Sequence, residues 1–300
     1  MDMTQNKCCR RGANLRRRRR RRRKILRSII FSCSIIAVAV FVAVGSSMIR
    51  SGDGRTNRYD VEAGNNTYDN AVIENSKISE KNKIQNNQSM LDDIMNSTQY
   101  PKQLKDLALK NEEALEFVYD YPAEHVKEHT IDLTEEASMD SVPLFVQWDK
   151  RWGYEKYSGN FFAASGCGPT TLSMVVVYLT HNRDASPIAV AKYSKEAGYS
   201  VDGSGSSWTL ISEGCMHYGV KAKAVALDES RMKAELDEGH PIVVNVGPGD
   251  FTDTGHFMVI TGYDDEGFSI NDPNSIEKSG KRWLFKNISS QIRAVWSMYV

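Results

Sequence analysis

Ser165-Gly166-Cys167-Gly168-Pro169-Thr170-Thr171 places one cysteine between two glycines, and the apolar run Leu172 to Leu179 follows at once. Pro169 suits a first helical turn, where its missing N–H would be unpaired in any case. Leu172, Val175, Val176 and Leu179 then recur at the spacing of one helix face. The stretch predicts a buried helix over 170–179 with Cys167 at its N-terminus. A thiol there meets the positive end of the helix dipole and free backbone amides, which favour the nucleophilic thiolate. The same amides can face a developing oxyanion. The two glycines are expected to let a substrate backbone approach the sulfur. A buried cysteine beside a tight turn is the other reading of the same residues.

Outward from this helix, end signals mark three more. Pro187 to Ala197 has Ser186 as cap and Gly198 as stop. Trp208 to Tyr218 is closed by Gly219. Glu229 to Glu238 is capped by Asp228 and ended by Gly239. The period then changes. Pro241 to Val246, His256 to Tyr263 and Phe268 to Asn271 are short, β-branched or aromatic runs bounded by Gly, Asp and Pro, and Trp283 to Phe285 and Val295 to Val300 can add strands. Helices followed by strands predict an α+β domain with helices packed on an antiparallel sheet, not a doubly wound one. No internal repeat or P-loop occurs, and Gly203-Ser204-Gly205 reads as a turn.

Two of the strand segments carry chemistry. Gly255-His256-Phe257 puts a histidine at the start of one strand, and Asn271-Asp272-Pro273 puts an aspartate at the end of the next. An antiparallel hairpin would lay them side by side. Side chains alternate between faces, so His256 and Asp272 share a face only if the loop between the strands has an odd number of residues. A three-residue loop, Asp265 to Gly267, sets Asp272 opposite Ile260. A five-residue loop, Tyr263 to Gly267, sets it opposite Met258. The sequence permits the pair and leaves the register open. His256 would take the Cys167 proton and return it to a leaving amine, while Asp272 would orient the imidazole. An Asx-Pro turn is the competing role for Asp272. Cys215 is the competing thiol, and its place in a helical run favours packing. A Cys167–Cys215 disulfide would remove the nucleophile altogether.

These residues carry a family likeness. Pro143-Leu144-Phe145-Val146-Gln147-Trp148-Asp149, Gly166-Cys167-Gly168-Pro169-Thr170, Gly255-His256-Phe257 and Asn271-Asp272-Pro273 together resemble the C39-like branch of papain-like cysteine peptidases. The resemblance implies a papain-like fold, a Cys167–His256–Asp272 arrangement and an oxyanion-hole glutamine, for which Gln147 stands in position. It implies hydrolysis of a peptide bond in a peptide or protein substrate, with no cofactor. Gln147 lies 20 residues before Cys167, further than in the transporter-linked members. This chain also lacks their ATP-driven transport domains, so their leader-peptide substrate does not carry over. A peptidoglycan amidase or endopeptidase and a non-catalytic papain-like binding module are the alternatives.

The N-terminal third sets the expected compartment. Of 38 basic residues, 14 fall in residues 1–50 beside a single acid, Asp2, which leaves 24 basic against 37 acidic residues in 51–300. An acidic body excludes the basic face that a nucleic-acid-binding domain needs. Arg16 to Arg23 are eight consecutive arginines, and residues 28–49 then carry no charge. A helix of that length spans roughly 33 Å, enough for a bilayer core, and the arginines would hold its near end in the cytoplasm. The expected organisation is a basic cytoplasmic tail 1–27, a transmembrane signal-anchor helix 28–49, a flexible linker 50–89, a helical extension 90–140 and the C39-like domain 141–300. The domain would then stand outside a cell membrane crossed once. Cleavage after Ala43-Val44-Gly45, as in a signal peptide, is the alternative. Within 90–140, Pro101 and Asn111 read as helix starts and Pro122 as a stop. There is no CxxC pair, no HExxH run and no Cys/His cluster, so no metal is expected.

Overall fold

The computed structural model describes residues 81–300. The basic tail 1–27, the apolar segment 28–49 and linker residues 50–80 lie outside the described residues. Among the described residues no helix is long and apolar enough to cross a membrane.

A six-stranded sheet organises the C-terminal half. Its strands are β1 (Lys221–Ala224), β2 (Ile242–Val246), β3 (His256–Asp264), β4 (Gly267–Asn271), β5 (Arg282–Trp283) and β6 (Ile292–Tyr299). They lie in the order β1-β6-β2-β3-β4-β5, and every neighbouring pair is antiparallel. All five residues of β2 are buried. Val243, Phe257 and Val259 point into one core, while Ile242, Val244, Met258 and Ile260 point into a second. Cover on both faces explains why this sheet reads as unbroken apolar runs rather than as an alternation.

Three helices match the end signals closely. The helices α4 (Cys167–Thr180), α5 (Pro187–Glu196) and α6 (Glu229–Asp237) belong to this half. Ser186 Oγ accepts from the Ala189 amide, and Asp228 accepts from the Arg231 amide. Residues 168–177 of α4 are all buried, as expected of a helix apolar on every side. It packs on the sheet through Leu172, Val175 and Val176, and Thr171 Oγ1 donates to the Phe257 carbonyl of β3 at 3.1 Å.

Other expectations need correction. Trp208 to Tyr218 is not one helix but a turn of α-helix, Thr209–Ser212, and a 3-10 segment, Gly214–Tyr218. The break falls where Gly214 packs close to the Tyr199 ring. β1 was not expected, because Lys-Ala-Lys-Ala has no apolar signature, yet it pairs with Trp296 to Tyr299. Trp283 closes β5, and Phe285 opens a short helix instead of extending the strand.

The extension precedes this domain. Helix α1 covers 81–96, so the segment expected as linker is helical over 81–89. Met90, Leu91 and Ile94 fasten it to a local core, which offsets the ordering cost that the exposed first turns cannot. Helix α2 (Lys102–Lys110) follows Pro101, and Asn111 then caps a 3-10 turn, Glu112–Ala114, that runs into α3 (Leu115–Tyr119). Pro122 does not end this run but stands in the first turn of Tyr121–Glu124. Leu104, Leu115, Phe117 and Val118 share their core with Phe161 and Ala163, just before Cys167.

Candidate active site

The glycines around Cys167 answer to packing. Gly166 caps a short helix, Phe162–Ser165, and starts α4 with Cys167 as its first residue. A Cβ on Gly166 would stand 2.6 Å from the Phe162 carbonyl, and one on Gly168 would stand 2.5 Å from Ser206 Oγ. Protein atoms already fill the space that the sequence suggested for substrate backbone. Ser206 is held in turn by the Tyr157 hydroxyl at 2.7 Å, so it has little room to retreat. Gly168→Ala should cost about 1–3 kcal/mol of stability, read as a lower denaturation midpoint in urea.

The β3–β4 hairpin carries the other two residues. Asp264 pairs with Gly267 across a two-residue turn, Asp265-Glu266, and that register alone would put His256 and Asp272 on opposite faces. One extra residue, Thr261, lies between the Ile260–Ile270 and Gly262–Ser269 pairs. This β-bulge shifts the ladder by one and restores the shared face. The resulting alignment is that of the five-residue loop, reached by a tighter turn. Gly267 has φ of +134°, and a Cβ there would meet the Trp283 carbonyl at 2.6 Å, so only glycine fits.

His256 opens β3 and Asp272 follows the last residue of β4, so both sit at one end of the sheet. His256 Nε2 lies 2.6 Å from Asp272 Oδ1, and both residues are buried. Nε2 of the imidazole is committed to Asp272, and the ring stands close enough to act on the Cys167 thiol. Asp272 Oδ1 accepts from the Asn274 amide at 2.8 Å as well. The Asx-turn role and the imidazole-orienting role are therefore filled by the same oxygen.

Charge is distributed to suit. Burial would push the Cys167 thiol up, but the hydrogen bond and charge of His256, with the amides of Phe257 and Gly168, hold it below its ordinary value. Burial opposes a charged His256, and the Asp272 carboxylate and Cys167 outweigh that and raise it to about 10. The two shifts reinforce each other, each favouring the charged form of its own group. Cys215 differs. It is fully buried, and burial pushes its thiol up to about 11. Both cysteines are free.

Gln147 lies beside this group. Its backbone amide donates to the Pro273 carbonyl at 2.7 Å, and its side-chain Nε2 donates to the Ala163 carbonyl at 2.7 Å. One of its two amide protons is thus committed, and Oε1 is buried without a partner. Among the described residues no group of three or more His, Cys, Asp or Glu stands together as a metal site.

A family profile described as the Peptidase_C39 like family matches residues 139–300. The chain belongs to that family. Two solved structures are similar to part of this C39-like chain. One is the peptidase domain of Streptococcus ComA, a bifunctional ABC transporter involved in quorum sensing, at 19% identity and a TM-score of 0.38, covering 53% of this chain and 96% of that one. The other is described as a C39-like peptidase from Bacillus anthracis, at 16% identity and a TM-score of 0.34, covering 53% and 95%. No curated protein sequence matches the chain.

The C39-like site also uses residues that sequence reading passed over. The Tyr157 hydroxyl bridges Ser194 and Ser206 at 2.8 and 2.7 Å and fixes the wall beside Cys167. Asn271 Nδ2 donates to the carbonyls of Val142 and Pro143 at 3.1 and 2.9 Å, tying the segment ahead of Gln147 to β4. Ser279 Oγ accepts from the Asp272 amide at 2.9 Å. Polar residues paired over long sequence separations leave no local pattern to read.

Proposed function

We propose that this chain is a cysteine peptidase whose nucleophile is Cys167, with His256 as acid–base and Asp272 as its orienting carboxylate. The carrying observation is the buried His256–Asp272 hydrogen bond beside a cysteine at a helix start, with the imidazole acting on its thiol. The thiolate attacks the scissile carbonyl, and the carbon–sulfur bond forms as the carbonyl electrons move onto oxygen. The Cys167 amide and the second amide proton of Gln147 supply oxyanion donors. His256 gives its proton to the departing amine, and the C–N bond breaks to leave a thioester. Water, deprotonated by His256, then hydrolyses that thioester and returns the thiolate. The substrate is a peptide or protein.

The proposed setting is outside a membrane, on a tether. The support is the arginine run at Arg16 to Arg23 followed by the uncharged residues 28–49. Full-length wild type and Cys167→Ser should be offered a denatured protein mixture and, separately, purified peptidoglycan. New protein N-termini made by wild type alone support the reading. Release of muropeptides with no new protein N-termini would transfer the site to cell-wall chemistry.

A further inference from the structure

The turn that holds Asp272 is itself held from outside the 139–300 match. Pro273 and Asn274 lead from Asp272 to Ser275, which caps helix α7 (Ile276–Ser279), a single turn. Glu113 of the extension reaches this turn with both carboxylate oxygens. Its Oε1 accepts from the Ser275 hydroxyl, and its Oε2 accepts from the amides of Ile276 and Glu277 at 2.7 and 3.1 Å. Asn111 Nδ2 donates to the Asn274 carbonyl at 2.9 Å, and that carbonyl also accepts from Trp148 Nε1 at 3.2 Å. The extension thus engages Asn274, Ser275, Ile276 and Glu277 in succession. Asp272 is bound into the same turn, through Oδ1 to the Asn274 amide and through its own amide to Ser279.

We infer that the helical extension is a positioning element for the site, with Glu113 and Asn111 fixing the 272–279 turn so that Asp272 meets His256. This rests on the peptidase reading above. A carboxylate that accepts three hydrogen bonds at a one-turn helix is a strong anchor, since charge-assisted bonds are about twice as strong as neutral ones. None of the helical residues of that turn is buried, and its other ties are single hydrogen bonds, such as Trp283 Nε1 to the Lys278 carbonyl at 3.0 Å. The extension also packs on Phe161 and Ala163, ahead of Cys167. It therefore touches the supports of both the nucleophile and the aspartate, while contacting none of the three reacting side chains. Loosening Asp272 weakens the imidazolium, and a weaker imidazolium raises the Cys167 thiol.

The test is the pH profile of Cys167 alkylation by iodoacetamide in the full-length protein, resolved by mass spectrometry. Glu113→Ala should move the midpoint up by about one pH unit, and slow labelling on the acidic side by about tenfold. Glu113→Gln keeps one acceptor and should fall between, which preserves the comparison if the alanine variant does not fold. Tyr154→Phe is the control. It removes the 2.7 Å hydroxyl bond to the Phe117 carbonyl, another tie between extension and domain that does not touch the Asp272 turn. Its midpoint should stay with wild type. Unchanged midpoints in both Glu113 variants, or an equal shift in Tyr154→Phe, would overturn the inference while leaving the peptidase reading intact. A wild-type midpoint in the ordinary thiol range would overturn both.

Discussion

Cys167→Ala should leave a folded protein with no peptide hydrolysis. The expected loss in kcat/KM is at least about 10³-fold, because covalent catalysis has no substitute nucleophile in the site. Cys215 cannot serve, since it is buried and its thiol is pushed up to about 11. The fold should survive because the change removes one half-buried sulfur at the first residue of α4. The lost burial is worth about 1 kcal/mol. Cys167→Ser should be equally inactive, since a hydroxyl at that helix start does not ionise near neutrality.

His256→Ala should be as inactive and far less stable. It removes the acid–base and also strands Asp272, which is fully buried and already has Oδ2 without a partner. Removing one member of a buried charge pair costs about 3–5 kcal/mol. Joining Asp272→Ala to His256→Ala should recover part of that stability and none of the activity, measurable in urea melts beside a peptide assay. A double variant no more stable than the single one would show that the buried charge is not the source of the loss. Linkage gives a second check. His256 is raised in the folded protein, so its contribution is complete below about 6.5, its unfolded value, and is lost as pH rises toward about 10. Wild type should lose stability across that window, and the double variant should lose less.

Much of the fold was legible because its signals are local. Ser186, Asp228, Gly198 and Gly239 mark helix ends by chemistry that acts within one turn. The apolar runs of β2 and β3 follow from a sheet covered on both faces. What escaped depends on distant partners. Lys221–Ala224 is a strand only because β6 offers it an edge. The bulge at Thr261 cannot be read from Val259-Ile260-Thr261-Gly262, yet it decides whether His256 and Asp272 meet. Residues 81–89 look like linker by composition and are helical because Met90, Leu91 and Ile94 anchor the turns that follow.

The site divides in the same way. Cys167, His256 and Asp272 stand out in the sequence because glycines, a strand start and an Asx-Pro turn frame them, and the structure brings all three together. Gln147 is placed nearby, but half of its donor capacity goes to Ala163. The flanking glycines suggest substrate access when read in sequence, whereas Phe162 and Ser206 occupy their open faces. Asn111 and Glu113 reach residues more than 160 positions away, a link that no spacing rule contains.

The most direct measurement is the site-resolved rate of iodoacetamide alkylation against pH in the full-length wild-type protein. Cys167 should label with a midpoint well below the ordinary thiol value of about 8.5, and far ahead of Cys215 at pH 6 to 7. A Cys167 midpoint at or above about 8.5, or labelling confined to Cys215, would contradict the thiolate–imidazolium site.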